Sequence, residues 1–341
     1  MTLLERYAAR YLPLVESDLR AVLTPPDGAP PLFYRMLHYH MGWVDASGES
    51  VEAERGKRIR PLLTLLTCAA AGGDIDLARP AAAAVELIHN FSLLHDDIQD
   101  RSPTRRNRPT VWAIWGEAQA INAGDALFAL AHLAVPRLMP PQADARLVKR
   151  MMEVLGYTCL ELTRGQHLDM SFEQREQVGI EEYLDMIAGK TAALLASASQ
   201  LGALAAGASD EVQMHYRSFG HSLGMAFQAM DDVLDIWGDP SVTGKAAAYD
   251  IRQRKKSLPV LYGLARDAEL RDLYARSDVL DEAAVSRAIA LLDASGARQY
   301  AENLALTYSE RTLAHLNAAA PQGDARVALF EMVERLLHRE S

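Results

Sequence analysis

The stretch PAAAAVELIHNFSLLHDDIQD, residues 80–100, is apolar on nearly every turn and then ends on three aspartates. A helix that is apolar around most of its circumference must lie among other helices, because one buried face cannot hide it. The same character returns in TAALLASASQLGALAAG, residues 191–207. Two such segments call for a large helical bundle. Asp96 and Asp100 are one turn apart and share a helix face. Like charges at that spacing repel, and unpaired charge near a core is costly, so one such row alone is either a solvated helix end or a row that needs partners.

Period-3.6 patterning runs through the rest of the chain, and period-2 alternation is nearly absent. The pattern predicts helices over 3–23, 32–45, 57–71, 80–101, 119–138, 144–173, 180–206, 210–237, 258–267, 282–293, 297–318 and 324–338. Breaks fall at TPPDGAPP, AGGD, MPPQ and APQGD. No linker long enough to separate one domain from another is evident. The expectation is therefore an all-α fold, with residues 1–341 forming a single domain. A net charge of -10 argues against a nucleic-acid partner, while leaving room for a local basic pocket. Cys68 and Cys159 lie in apolar helical patterns and read as reduced core residues of a cytoplasmic protein. The N-terminal segment carries Glu5, Glu16 and Asp18, which suits an amphipathic helix rather than a signal peptide. No run reaches the ~20 apolar residues of a membrane span.

The acidic row occurs twice. GMAFQAMDDVLDIWGDP places Asp231, Asp232 and Asp235 at the same spacing as Asp96, Asp97 and Asp100, 135 residues further on. Ligands of oxygen only, without His or Cys, suit a hard cation such as Mg²⁺ or Mn²⁺. Mg²⁺ held by one or two carboxylates keeps its other positions for water and phosphate oxygens, so two such rows suit a diphosphate. Basic residues suited to that anion accompany the rows. Lys57, Arg58 and Arg60 open a helix, with Lys57 and Arg60 on one face. His89 lies two turns before Asp96, and Arg105 and Arg106 follow the first row on a loop. Lys190 and Thr191 interrupt an apolar helix. Lys245, Lys255 and Lys256 follow the second row.

These residues resemble the trans-isoprenyl diphosphate synthases, or polyprenyl synthetases. The resemblance rests on the two DDxxD rows and on GKRIRP, LLHDDIQD…RR…PTV, GQHLD, KTA, AFQAMDD and GK…D…KKSLP. These keep the family's order from about residue 56 to 259. The resemblance implies a large all-α bundle around a deep central cavity, the isoprenoid synthase fold, in a homodimer. It implies three Mg²⁺ held by Asp96, Asp100 and Asp231, with Asp235 nearby, and Mn²⁺ as a substitute. Arg105, Lys190 and Lys255, with Lys245 close by, would hold the allylic diphosphate. Lys57, Arg60, His89 and Arg106 would hold isopentenyl diphosphate. Thr191 and Gln228 would stabilise charge near the breaking bond. No side chain stands out as a nucleophile, which agrees with chemistry supplied by the substrates. Departures from the family pattern fall at Arg55, Asn107, Trp112, Ala248 and Arg254. Arg55, Asn107, Ala248 and Arg254 stand where a glycine is usual.

The resemblance gives Phe91 and Ser92, roughly 7.5 and 6 Å before Asp96 along a helix axis, a role in limiting product length. One aromatic with a small neighbour looks most like a geranylgeranyl (C20) producer, ahead of a farnesyl (C15) enzyme and a longer-chain one. A terpene cyclase would mix Asn, Ser or Thr with Glu in its second metal motif, and a non-catalytic partner subunit would have lost a row. Both rows are whole here. Chelation of divalent metal should therefore abolish turnover, and Asp96→Ala and Asp231→Ala should each lower kcat by about 10²-fold or more at saturating Mg²⁺. Steady-state assays with either variant check this, and near-normal turnover would refute the metal assignment.

Overall fold

The computed structural model describes residues 1–341 except 52, 54–55, 142, 239–247, 276–279 and 338–341. Its helices are α1 (Leu3–Val22), α2 (Pro31–His40), α3 (Ile59–Ala70), α4 (Ile75–Gln99), α5 (Val111–Trp115), α6 (Glu117–Leu138) and α7 (Ala145–Gln174). Then follow α8 (Ile180–Ile187), a π-helical turn (Ala188–Ala192), α9 (Ala193–Ala205), α10 (Asp210–Trp237), α11 (Tyr249–Arg252) and α12 (Leu258–Arg266). The last are α13 (Ala268–Ala275), α14 (Glu282–Ser295), α15 (Ala297–Ala318) and α16 (Gly323–Leu337). One two-stranded antiparallel hairpin, Thr104–Arg105 with Arg108–Pro109, completes the described elements. The all-α expectation holds. Contacts divide the chain into two compact units, one of residues 1–159, 197–214 and 320–329, the other of 160–196, 215–319 and 330–341.

The first unit is built on α4, which packs against α1, α3 and α6. Ala81, Ala82, Ala83 and Ala84 are all fully buried, and side chains this small let neighbouring helices approach. The helix begins at Ile75 rather than at Pro80, because Asp74 caps it by accepting from the Asp76 N–H at 3.0 Å. Glycines mark the closest approaches. A Cβ at Gly124 of α6 would lie 2.2 Å from His95 Nε2, and one at Gly202 of α9 would lie 2.3 Å from the Thr64 carbonyl oxygen of α3. Both cysteines are free and buried, and burial pushes their thiols up to about 12, so they are inert core residues.

The second unit has its own core. Phe172, Tyr183, Met186, Ile187, Met225, Val233, Leu258 and Ala301 cluster around the π-helical turn and the end of α10. A second cluster joins Ile251, Val260, Leu270, Val285 and Leu292. Helix α13 was not expected from sequence. Its charged residues blur the apolar stripe, and only Leu270 and Leu273 are buried.

The Gly202 contact is against backbone, which cannot swing aside. Gly202→Ala should therefore destabilise the fold by about 1–3 kcal/mol, the usual cost of overpacking. Urea unfolding monitored by circular dichroism would measure it.

Candidate active site

The first acidic row closes α4. Asp96 is half-buried, Asp100 is exposed and caps the helix C-terminus, and Asp97 between them is only 2% exposed. Asp97 accepts from Arg105 Nε at 2.7 Å. Burial pushes the Asp97 carboxyl up to about 6 in spite of that guanidinium, with Asp96 and Asp100 adding repulsion. The middle aspartate thus serves the protein, while Asp96 and Asp100 on either side of it are less buried. Spacing alone gives Asp97 no role of its own.

Arg105 and Arg106 ride the hairpin. Arg106 and Asn107 form its two-residue turn, both left-handed at φ 50° and 57°. Positive φ at both central residues is the mark of a type I′ turn, the twist that suits two antiparallel strands. Asparagine accepts this conformation readily, and arginine at about 1 kcal/mol or more. The guanidinium of Arg106 reaches the GKRIRP segment. A Cβ at Gly56 would lie 2.7 Å from Arg106 Nη2, so a side chain there would push the guanidinium aside, and the left-handed φ of 75° favours glycine as well. Trp112, another departure from the family pattern, donates from Nε1 to the Ser102 carbonyl at 2.8 Å and steadies the loop after the row.

Arg60 and His89 come together, with Arg60 Nη1 lying 3.3 Å from His89 Nε2. Arginine can only donate, so this imidazole nitrogen accepts. Burial, then Arg60, Arg106, Arg105 and Arg58, hold His89 well below its usual range. Arg58 is left-handed at φ 47° at the N-cap of α3, and its Nη1 pairs with buried Glu86. Arg58 is thus structural, while its neighbour Lys57 is exposed. His40, at the end of α2, is a further imidazole beside the same arginines. Burial, then Arg106, Arg105 and Arg58, bring it down to about 3.

The second row closes α10 in the same manner. Asp231 and Asp235 are half-buried and Asp232 is 3% exposed. Asp232 accepts from Tyr183 Oη at 2.5 Å, Gln228 Nε2 at 3.0 Å and the Leu258 N–H at 3.0 Å. Burial still pushes its carboxyl up to about 7. Gln228 accepts in turn from Thr191 Oγ1 at 2.9 Å, so these two predicted residues meet. Thr191 and Lys190 sit on the π-helical turn, where the Ala193 N–H bonds back to the Ala188 carbonyl. Such turns insert an extra residue and often mark functional sites. This one is clasped by glycines. A Cβ at Gly165 would lie 2.1 Å from Lys190 N, and one at Gly224 would lie 2.5 Å from Ala192 Cα. Lys190 Nζ donates to Asp169 of GQHLD at 2.5 Å, a partner that the sequence pattern does not single out.

The two lysines of KKSLP differ in their surroundings. Lys255 is exposed, whereas Lys256 Nζ donates to the Phe172 carbonyl at 2.5 Å and to the Arg175 carbonyl, closing the end of α7. Ala248 and Arg254 are left-handed at φ 54° and 52°, keeping a glycine-like backbone without glycine. Lys245 and Arg55 lie outside the described residues. Phe91 packs edge-on to Phe128 of α6 with centroids 5.2 Å apart, and to His95 at 5.6 Å. Ser92 Oγ donates to the His89 carbonyl at 2.8 Å.

The donor set fits a hard divalent cation. Both rows offer oxygen alone at the C-terminal end of a long helix, where the helix dipole favours positive charge. Among the described residues no three His, Cys, Asp or Glu side chains converge to bind a metal unaided.

The polyprenyl synthetase family model matches residues 42–292. The chain is 43% identical over 266 residues to the (2E,6E)-farnesyl diphosphate synthase of Mycobacterium tuberculosis, covering 76% of this chain and 72% of that protein. It is 38% identical over 337 residues to the geranylgeranyl diphosphate synthase of the same organism, covering 98% and 93%. A polyprenyl synthase crystal structure from Caulobacter crescentus, complexed with calcium and isoprenyl diphosphate, matches at TM-score 0.82 and 32% identity, covering 99% and 98%. The chain belongs to the polyprenyl synthetase family. It is a short-chain trans-isoprenyl diphosphate synthase, a prenyltransferase of a family that uses divalent metal ions. No described helix is long and apolar enough to cross a membrane.

His40 links this site to acid stability. A histidine held neutral by the fold binds its proton more readily once unfolded. Its contribution is whole above the ordinary value of 6.5 and is lost as pH falls towards about 3. His40→Gln should flatten the fall of unfolding free energy across that window, as measured by urea titrations at several pH values. An unchanged slope would refute the buried neutral imidazole.

Proposed function

We propose that this enzyme condenses isopentenyl diphosphate with an allylic diphosphate to make geranylgeranyl diphosphate. The chain works as one synthase domain in a cytoplasmic homodimer. Exposed Ile121, Phe128 and Leu133 on α6 favour a dimer, because apolar side chains clustered on a surface mark interaction sites. Asp96, Asp100 and Asp231, with Asp235 nearby, would hold three Mg²⁺. When bound, these ions neutralise the diphosphate and make it a better leaving group.

Arg105, Lys190 and Lys255, with Lys245, bind the allylic diphosphate. Lys57, Arg60, His89 and Arg106 bind isopentenyl diphosphate. The allylic C–O bond breaks with its electron pair leaving on the diphosphate. The double bond of isopentenyl diphosphate attacks the allylic cation, and a proton passes to the departing diphosphate. Thr191 and Gln228 aim their dipoles at the cation. Their bond to one another, and that of Gln228 to Asp232, fix those dipoles before the substrate arrives.

The observation that carries the C20 reading is the aromatic pair Phe91 and Phe128, a bulky stop that spans α4 and α6 beyond the first row. Incubation with labelled isopentenyl diphosphate and C5, C10 or C15 primers should give C20 as the main product. Phe91→Ala removes one ring and leaves an apolar cavity able to accept an apolar tail. Its products should lengthen by at least one isoprene unit. Ser92→Phe should shorten them towards C15 or C10. Losing a buried Phe costs about 3–5 kcal/mol, so thermal melting of each variant comes first. A folded Phe91→Ala with the wild-type product distribution would overturn the assignment of the floor. A main wild-type product of C15 would favour the farnesyl reading.

A further inference from the structure

Within the second unit, four side chains form one line of hydrogen bonds. Tyr183 Oη of α8 donates to Asp232 Oδ2 at 2.5 Å, Gln228 Nε2 donates to Asp232 Oδ1 at 3.0 Å, and Thr191 Oγ1 donates to Gln228 Oε1 at 2.9 Å. The Leu258 N–H adds a further donor to Oδ2 at 3.0 Å. The line runs outwards from the interior, since Tyr183 and Asp232 are buried while Gln228 and Thr191 are partly exposed. Gln228 and Asp232 are one turn apart on α10 and share a face. Tyr183 and Thr191 are eight residues apart, which on a regular helix would set them about 80° apart. The π-helical turn that carries Thr191 is wider and advances less per residue, which narrows that angle and lets both reach the same stripe of α10. The sense of each bond follows from its neighbour. A backbone N–H can only donate, so Asp232 Oδ2 accepts. A carboxylate that accepts on both oxygens turns the Gln228 amide so that Nε2 faces it and Oε1 faces Thr191. The single hydroxyl proton of Thr191 is spent on Oε1, so the hydroxyl has only lone pairs to offer elsewhere.

We propose that Tyr183 is a positioning residue of the condensation. It holds the Asp232 carboxylate by the oxygen that Gln228 does not use, and so keeps the Gln228 and Thr191 oxygens turned towards the forming allylic cation. Oxygen lone pairs fixed in advance stabilise positive charge as it develops, without reorganising at the moment of reaction. Without the tyrosine hydroxyl, Oδ2 keeps only the Leu258 N–H, and the carboxylate is free to turn and release the amide. The inference rests on Thr191 and Gln228 stabilising that cation. It adds a residue that belongs to neither acidic row nor to KTA, and that acts only through Asp232 and Gln228.

The test is the single-turnover rate of condensation, followed by rapid quench with enzyme in excess over labelled allylic diphosphate, together with both steady-state KM values. Tyr183→Phe should lower the single-turnover rate about tenfold, the scale of one hydrogen bond to a charged group. Both KM values should stay within about twofold, since the charge being stabilised develops only in the transition state. In a Gln228→Leu background, Tyr183→Phe should cost less than about twofold more, because the two act through one line. Should Tyr183→Phe melt below the assay temperature, Tyr183→Met replaces it with the same expectation. An unchanged rate, a loss accompanied by equal rises in both KM values, or full additivity with Gln228→Leu would overturn the proposal. Gln228→Leu and Thr191→Val alone test the reading beneath it. If both leave the single-turnover rate unmoved, that reading fails and the proposal with it. If they lower it and Tyr183→Phe does not, only the role of Tyr183 fails.

Discussion

Each acidic row is organised by its middle carboxylate, Asp97 in the first and Asp232 in the second. Asp97 and Asp232 each sit one residue after the first aspartate of a row, rotated by about 100° from it. Both point into protein, where burial outweighs their hydrogen bonds and lifts both above the ordinary carboxylate range. One is met by a guanidinium and the other by three neutral donors. With the middle residue locked, the outer two cannot rotate about the helix axis. Arg105 is fixed by the first anchor, and Gln228 with Thr191 by the second.

The same logic governs the cations. Lys190 rests on Asp169, Arg105 on Asp97 and Arg58 on Glu86. Each of these three basic groups has an internal counter-charge. The ion pairs differ in kind. That of Arg58 is buried, so removing one partner would strand a charge away from water. That of Lys190 is partly exposed, so solvent screens it and the pair separates at lower cost.

Most helices were legible in the sequence, because apolar stripes such as that over 210–237 are long and regular. Helix α13 was not, since only two of its residues are buried. The hairpin carrying Arg105 and Arg106 escaped because two-residue strands are too short to show alternation. The pairing of Thr191 with Gln228 bridges 37 residues, and no spacing rule reaches that far. Asp97 and Asp232 were visible as letters in each row, but their different task depends on burial, which adjacent identical residues cannot reveal. Asp169 lies within the GQHLD motif, yet only the fold brings it to Lys190. His40 had the weakest signal. Its burial follows from the packing of α2, and α2 carries no acidic row.

The π-helical turn at Ala188–Ala192 has a consequence for how such a chain can change through time. It holds one residue more than a regular helix of the same rise, so α8 and α9 read as one sequence but lie about 100° out of phase. A single-codon deletion there could heal the helix completely. The healed segment would satisfy every backbone hydrogen bond, yet its two halves could no longer both present their apolar faces inward. Gly165 and Gly224, each fitted to the bulged backbone, would be left facing a different surface. The local structure and the surrounding packing thus favour opposite outcomes, and length variation, well tolerated at the chain's surface turns, is shut out of this one interior position.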